Sequence, residues 1–102
     1  MRRGTTPTLT FTTPYAADLI ESGFITFSQR GTDLLDVALN DEAVTIEDNS
    51  ISVDLTQEQT LMFTTVAPCE IQIRAILTSG KAVASNIVQD TICPILKDGE
   101  IT

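Results

Sequence analysis

Hydrophobic and polar residues alternate over short stretches along most of the chain, and this period of two is typical of strands that bury one face. In the first half of the chain the predicted inward-facing residues are Leu9, Phe11, Ile25, Phe27, Leu35, Val37 and Leu39. A long helical period is not seen anywhere in the sequence. The pattern therefore predicts an all-β domain.

Two hairpins are predicted where turn-forming residues separate alternating stretches. The first has the polar residues 47–50 as its turn, and the second, between 70–77 and 82–92, has Ser79 and Gly80. Together with the earlier stretches they make about seven strands at intervals of roughly 8 to 12 residues. This spacing predicts an antiparallel immunoglobulin-like β-sandwich.

One short helical turn is expected near residues 57–62. Thr56 and Gln59 have the spacing of a capping box, in which each residue's side chain accepts a hydrogen bond from the other's backbone amide. We expect this turn to carry the chain from one sheet to the other. Within residues 13–22, a helical turn and a loop entering the second strand remain alternatives for Asp18 to Ser22.

The chain has room for one domain, which we place at residues 8–96. Residues 1–7 and 97–102 lack periodicity and are expected to form an N-terminal arm and a C-terminal tail. Such segments stay disordered unless a partner holds them.

The composition is acidic, with six Lys and Arg against fourteen Asp and Glu and a net charge of −8. Without Arg2 and Arg3 the body has four basic and fourteen acidic residues, or −10, which disfavours binding to phosphate backbones. The residues after Met1 lack the apolar core of an export signal, and no stretch approaches the roughly 20 apolar residues of a membrane span. We expect a cytoplasmic protein without a nucleic-acid or membrane partner.

The residue types needed for common catalytic sites are scarce. Histidine is absent, which excludes Ser-His-Asp and Cys-His arrangements, and the five glycines are too scattered for a phosphate loop. Acidic residues of the loops could bind calcium, but their spacing does not match a calcium loop. The acidic residues considered are Asp33, Asp36, Asp41, Glu42, Glu47, Asp48 and Asp54. We expect no catalytic residue, cofactor or metal.

Cys69 and Cys93 lie at the two ends of the last hairpin. A two-residue loop would place Cys69 opposite Asp90, whereas a three-residue loop at 80–82 would place the two cysteines opposite each other. We expect two reduced, partly buried thiols, as is usual in the cytoplasm.

Three residues are candidates for partner contacts. Arg2 and Arg3 could pair with the acidic body of a neighbouring copy, and the alternative is a disordered start of the chain. Phe24 has the opposite parity to Ile25 and Phe27 and could lie on an exposed sheet face. The alternative is that it packs under the loop that contains Tyr15.

Four segments resemble a family of short phage- and prophage-encoded proteins of Firmicutes. They are "MRRGTTPTLTF" at the start, "VDLTQEQTLMF", "EIQIRAILTSGKAVAS" and "ILKDGEI" near the end. The resemblance implies a phage structural or tail-associated protein and transfers no catalytic residue. It implies other phage proteins, or copies of the same chain in a homo-oligomer, as partners. It also implies a location in the host cytoplasm or the virion.

The resulting hypothesis is a non-enzymatic phage structural or assembly module that acts through protein–protein contacts. A surface adhesion or carbohydrate-binding β-sandwich is the first alternative, disfavoured by one Tyr, no Trp and no export signal. A small carboxylate- or metal-dependent enzyme is the second alternative, disfavoured by the lack of histidine.

Overall fold

The computed structural model describes residues 1–102. Its strands are β1 (Thr8–Thr12), β2 (Ile20–Gln29), β3 (Thr32–Ala38), β4 (Val44–Glu47), β5 (Ser50–Asp54), β6 (Cys69–Leu77), β7 (Ala82–Ala84) and β8 (Val88–Asp90). A single turn of 3₁₀ helix spans Ala17–Leu19, and one α-helix, α1, spans Gln57–Thr60. None of the helices has the length and apolar character needed to cross a membrane.

The strands form two antiparallel sheets, which confirms the predicted all-β class. The smaller sheet has the order β1-β5-β4, and the larger has the order β3-β2-β6-β7, with β8 also paired to β6. Immunoglobulin domains have the strands B-E-D in one sheet and C′-C-F-G in the other, with strand A beside B. The two sheets reproduce these orders, with β1 in place of strand B and β7 and β8 in place of strand G. No strand occupies the position of strand A beside β1.

The hydrophobic core lies between the two sheets. Phe27 of β2 and Val53 of β5 are 0% exposed, and both belong to one cluster of twelve buried residues. The rings of Phe27 and Phe63 are 5.8 Å apart. The inward-facing residues predicted from the alternation are buried or half-buried in this core, because each strand turns every second side chain towards the other sheet.

Helix α1 begins with the predicted capping box and joins the smaller sheet to the larger one. Thr56 Oγ1 accepts a hydrogen bond from Gln59 N at 3.1 Å, and Gln59 Oε1 accepts one from Thr56 N at 2.9 Å. The helix ends at Thr60, whose fully buried hydroxyl donates to Thr5 O at 2.9 Å.

Residues 13–22, which include the stretch where the sequence allowed either a helical turn or a loop, contain the 3₁₀ turn. Strand β2 begins earlier than its apolar alternation suggests.

The last hairpin differs more from the prediction. Leu77 N donates to Lys81 O at 2.9 Å, so the loop has three residues, 78–80. A bulge at 85–87 then divides the returning strand into β7 and β8. Because the bulge adds one residue, Cys69 still lies opposite Asp90, as predicted from a two-residue loop.

Candidate protein-contact site

Phe24 lies on the outer face of the larger sheet with 54% of its surface exposed. Its register partners are Ala38 on β3 and Arg74 on β6. Ile76, two residues further along β6, is 38% exposed on the same face. The alternative position under the Tyr15 loop is wrong, because strand parity directs Phe24 away from the core.

Gly23 holds β2 and β6 close together beside Phe24. A Cβ atom at this glycine would lie 2.2 Å from Arg74 O and 2.8 Å from Ala75 Cα. Only glycine fits at this distance, and the contact is with main chain, which cannot move aside as a side chain can. The backbone that positions Phe24 and Arg74 is therefore fixed on both strands.

Arg74 is exposed and forms no ion pair or side-chain hydrogen bond within the chain. A guanidinium carries five N–H donors in a fixed planar arrangement. Aromatic residues and Arg are the types most enriched in the energetically important centres of protein interfaces. We call the exposed surface formed by Phe24, Arg74, Ile76, Ala38 and Ala82 the Phe24 face.

The Phe24 face is part of a shallow depression of about 510 Å³. Glu21 and Asp36 are among the residues that line it, and Asp36 already accepts a hydrogen bond from Thr26 Oγ1 at 2.5 Å. The depression therefore combines the exposed apolar side chains of Phe24 and Ile76 with charged side chains, and aromatic and Arg residues are enriched in protein-binding surfaces.

Arg3, by contrast, is directed into its own chain. Its Nε donates to Phe63 O at 2.9 Å and its Nη2 donates to Leu61 O at 3.1 Å. Its Nη1 pairs with Asp98 Oδ1 at 2.9 Å. The hydrogen bond from Arg3 holds the pKa of Asp98 below its ordinary value, and a bond from Gly99 N adds to this effect.

The N-terminal residues lie against the C-terminal part of the chain, which corrects the expectation of a free arm. The α-amino group of Met1 lies 2.9 Å from Asp90 Oδ2, and Cys93 N donates to Met1 O at 2.8 Å. Arg2 Nη1 donates to Pro94 O at 2.6 Å. The tail is held as well, since Ile101 exchanges two hydrogen bonds with the side chain of Gln57. These contacts join distant parts of the sequence, which periodicity does not report.

The acidic residues considered as calcium ligands do not form a common site. No group of three or more carboxylate or thiol side chains has an arrangement that could hold a metal ion.

Both cysteines are free thiols. Cys69 is fully buried and Cys93 is half-buried. Burial raises the pKa of the Cys69 thiol to about 11.

The sequence identified Phe24 through its parity but gave no reason to select Arg74 or Ile76. Both have the outward parity of a half-buried strand, where exposed residues are ordinary. Only the register of β2 against β6 brings them together with Phe24.

Comparison of the chain with models of known protein families gives no match, and a search of curated proteins finds none either.

Proposed function

We propose that this protein is a non-enzymatic structural or assembly module of a phage or prophage particle, and that it acts through protein–protein contacts at the Phe24 face. The phage setting is supported by the four segments that resemble Firmicutes phage proteins. The contact role is supported by one observation, the exposure of Phe24 beside the unpaired guanidinium of Arg74.

The Phe24 face exposes apolar surface to water. Phe24 is 54% exposed and Ile76 is 38% exposed, so burial of both by a partner removes apolar surface from water. Gly23 and the β2–β6 ladder fix the backbone beneath them, so little further ordering is needed on binding. The donors of Arg74 supply direction, because they can bind the carboxylate or carbonyl groups of a partner.

The proposed phage setting is tested by mass spectrometry of particles purified from induced cells that carry the gene. The proposal predicts the intact chain in the particle at a fixed ratio to the other structural proteins. Its consistent presence only in the soluble fraction, with none in particles, would contradict the phage-particle setting.

The contact is tested with the variant Phe24→Ser in the same cells. We expect the variant to fold normally, because the side chain is outside the core, and to be depleted from particles. Val66→Ser is a matched control, since Val66 is 65% exposed in the loop before β6. Equal incorporation of the two variants would contradict the assignment of the contact to the Phe24 face.

A further inference from the structure

The open edge of β1 adjoins an apolar groove between the two sheets. The groove has a volume of about 650 Å³ and runs from β1 to the edge formed by β7 and β8. Phe11, Ile20, Ile73 and Val83 line it, and each of them is only half-buried. It lies where strand A pairs with strand B in an immunoglobulin domain.

Backbone groups of β1 face this groove without a strand partner. Leu55 N donates to Pro7 O, and Thr13 N donates to Asn49 O, so odd-numbered residues bond to β5. Hydrogen bonding alternates along an antiparallel pair, which directs the amides and carbonyls of Thr10 and Thr12 to the open side. Such an edge can pair with an added strand.

The opposite side of the groove is less suited to strand addition. The bulge after β7 turns the Ser85 carbonyl towards Gln72, whose Nε2 donates to it at 3.0 Å. The Ser85 hydroxyl donates to Asn86 O at 2.9 Å. Bulges of this kind protect sheet edges, so β1 offers the regular pairing edge.

The charge of the groove indicates the kind of segment it accepts. The chain has twenty charged residues and a net charge of −8, yet no charged residue lines the groove. The chain's own C-terminal tail contains Lys97, Asp98 and Glu100 and does not match this neutral lining. An uncharged segment is complementary to it, because a buried charge there would have no partner.

The volume fits the inward side chains of one short strand. A strand as long as β1 directs two or three side chains into the groove. A cavity of about 150 Å³ holds one benzene molecule, so 650 Å³ accommodates three apolar side chains together with their backbone.

We propose that the groove binds an extended, uncharged segment of a partner protein, with alternating apolar residues, which adds to β1 as a strand in the vacant position of strand A. Its backbone pairs with Thr10 and Thr12, and its inward side chains contact Phe11, Ile73 and Val83. This strand addition would be one contact of the proposed assembly function, and it rests on that function for the assumption that the partner is a protein. It uses a different surface from the Phe24 face.

A capped synthetic peptide of alternating threonine and valine, matched in length to β1, serves as the probe. Tyr15 lines the groove and is the only tyrosine in a chain without tryptophan, so intrinsic fluorescence reports occupancy. We expect saturable changes in Tyr15 emission. The same peptide with glutamate in place of valine should bind at least about tenfold more weakly, because its charges enter an apolar site.

Hydrogen exchange measured by NMR distinguishes strand addition from other binding. The amides of Thr10 and Thr12 should gain protection when the valine peptide binds, while those of Leu9 and Phe11 are protected in the free protein. A change in Tyr15 emission without protection of Thr10 and Thr12 would show an apolar ligand pocket and overturn strand addition. Protection confined to Ala84 would overturn the choice of the β1 edge.

Val83→Phe fills the groove, and Val66→Phe is its matched control because Val66 is 65% exposed in the loop before β6 and lines neither the groove nor the Phe24 face. We expect the first variant to weaken peptide binding by at least about tenfold and the second to leave it unchanged. Equal effects would contradict the proposal. If Val83→Phe does not fold, exchange at Thr10 and Thr12 in the unmodified protein decides the question.

The Phe24→Ser variant keeps the groove intact and should bind the peptide normally. If this variant binds the peptide normally and is also incorporated into particles normally, the contact role of the Phe24 face is wrong and strand addition at the groove stands. If the peptide does not bind the unmodified protein but Phe24→Ser is depleted from particles, strand addition at the groove is wrong and the contact role of the Phe24 face stands.

Discussion

Replacement of Arg3 by alanine tests whether the N-terminal residues are part of the folded domain. Arg3 donates to two main-chain carbonyls, Phe63 O at 2.9 Å and Leu61 O at 3.1 Å, and its side chain is 21% exposed. A hydrogen bond from a charged donor contributes roughly 1.5–3 kcal/mol. The pair with Asp98 adds little, because that carboxylate is 82% exposed.

We expect Arg3→Ala to lower the free energy of unfolding by about 3 kcal/mol, near the low end of the two bonds' sum because the site is partly hydrated. For a domain of this size the melting temperature falls by roughly 10–20 °C. Urea unfolding followed by circular dichroism measures the change in the free energy of unfolding. If this free energy depends on urea concentration with the same slope in both proteins, the unfolding reaction is the same.

Two further variants of the N-terminal segment sharpen the test. Arg2→Ala removes one exposed bond to Pro94 O and should cost less than about 1 kcal/mol. Arg3→Lys keeps the charge but cannot form the planar two-carbonyl contact, so its stability should lie between those of Arg3→Ala and the unmodified protein. Equal costs for Arg2→Ala and Arg3→Ala, within about 0.5 kcal/mol, would refute the docking of residues 1–7.

Three other features of the fold give direct tests. Thr56→Ala should cost about 1 kcal/mol through loss of the helix cap, and a loss below about 0.5 kcal/mol in urea unfolding would contradict the capping role. Gly23→Ala should cost at least about 2 kcal/mol, because its Cβ would meet the main chain of β6, and an unchanged melting temperature would contradict that close approach. Burial raises the pKa of Cys69, so the neutral thiol is favoured in the folded state; stability should fall as pH rises from about 9.0 through about 11. Titration with a thiol reagent should accordingly modify Cys93 before Cys69 in the native protein, and modification of Cys69 first would contradict its burial.

The strands and the helix cap were predictable because both are local in sequence. Alternation identifies Phe27 and Val37 as inward-facing whatever strand lies beside them, since the side-chain period is a property of one strand. Thr56 and Gln59 are three residues apart and form their hydrogen bonds within a single turn. The outward parity of Phe24 was readable for the same reason.

The remaining features depend on contacts between distant residues. Arg3 meets partners 58 to 95 positions away, so no local pattern distinguishes it from Arg2. The bulge at 85–87 is stabilised by Gln72 on the neighbouring strand, and Val83 and Val88 continue the apolar pattern across it. The groove exists because no strand lies beside β1, which only the sheet order reveals.

Photo-cross-linking in cells that express the gene shows whether the Phe24 face binds another protein, as we propose. A photoreactive phenylalanine analogue replaces Phe24 in one strain and Thr45 in another. Thr45 is exposed on the outer face of the smaller sheet and provides the control. We expect one cross-linked product of defined mass from position 24 and none from position 45. No product at position 24, or the same products from both positions, would contradict the proposed contact.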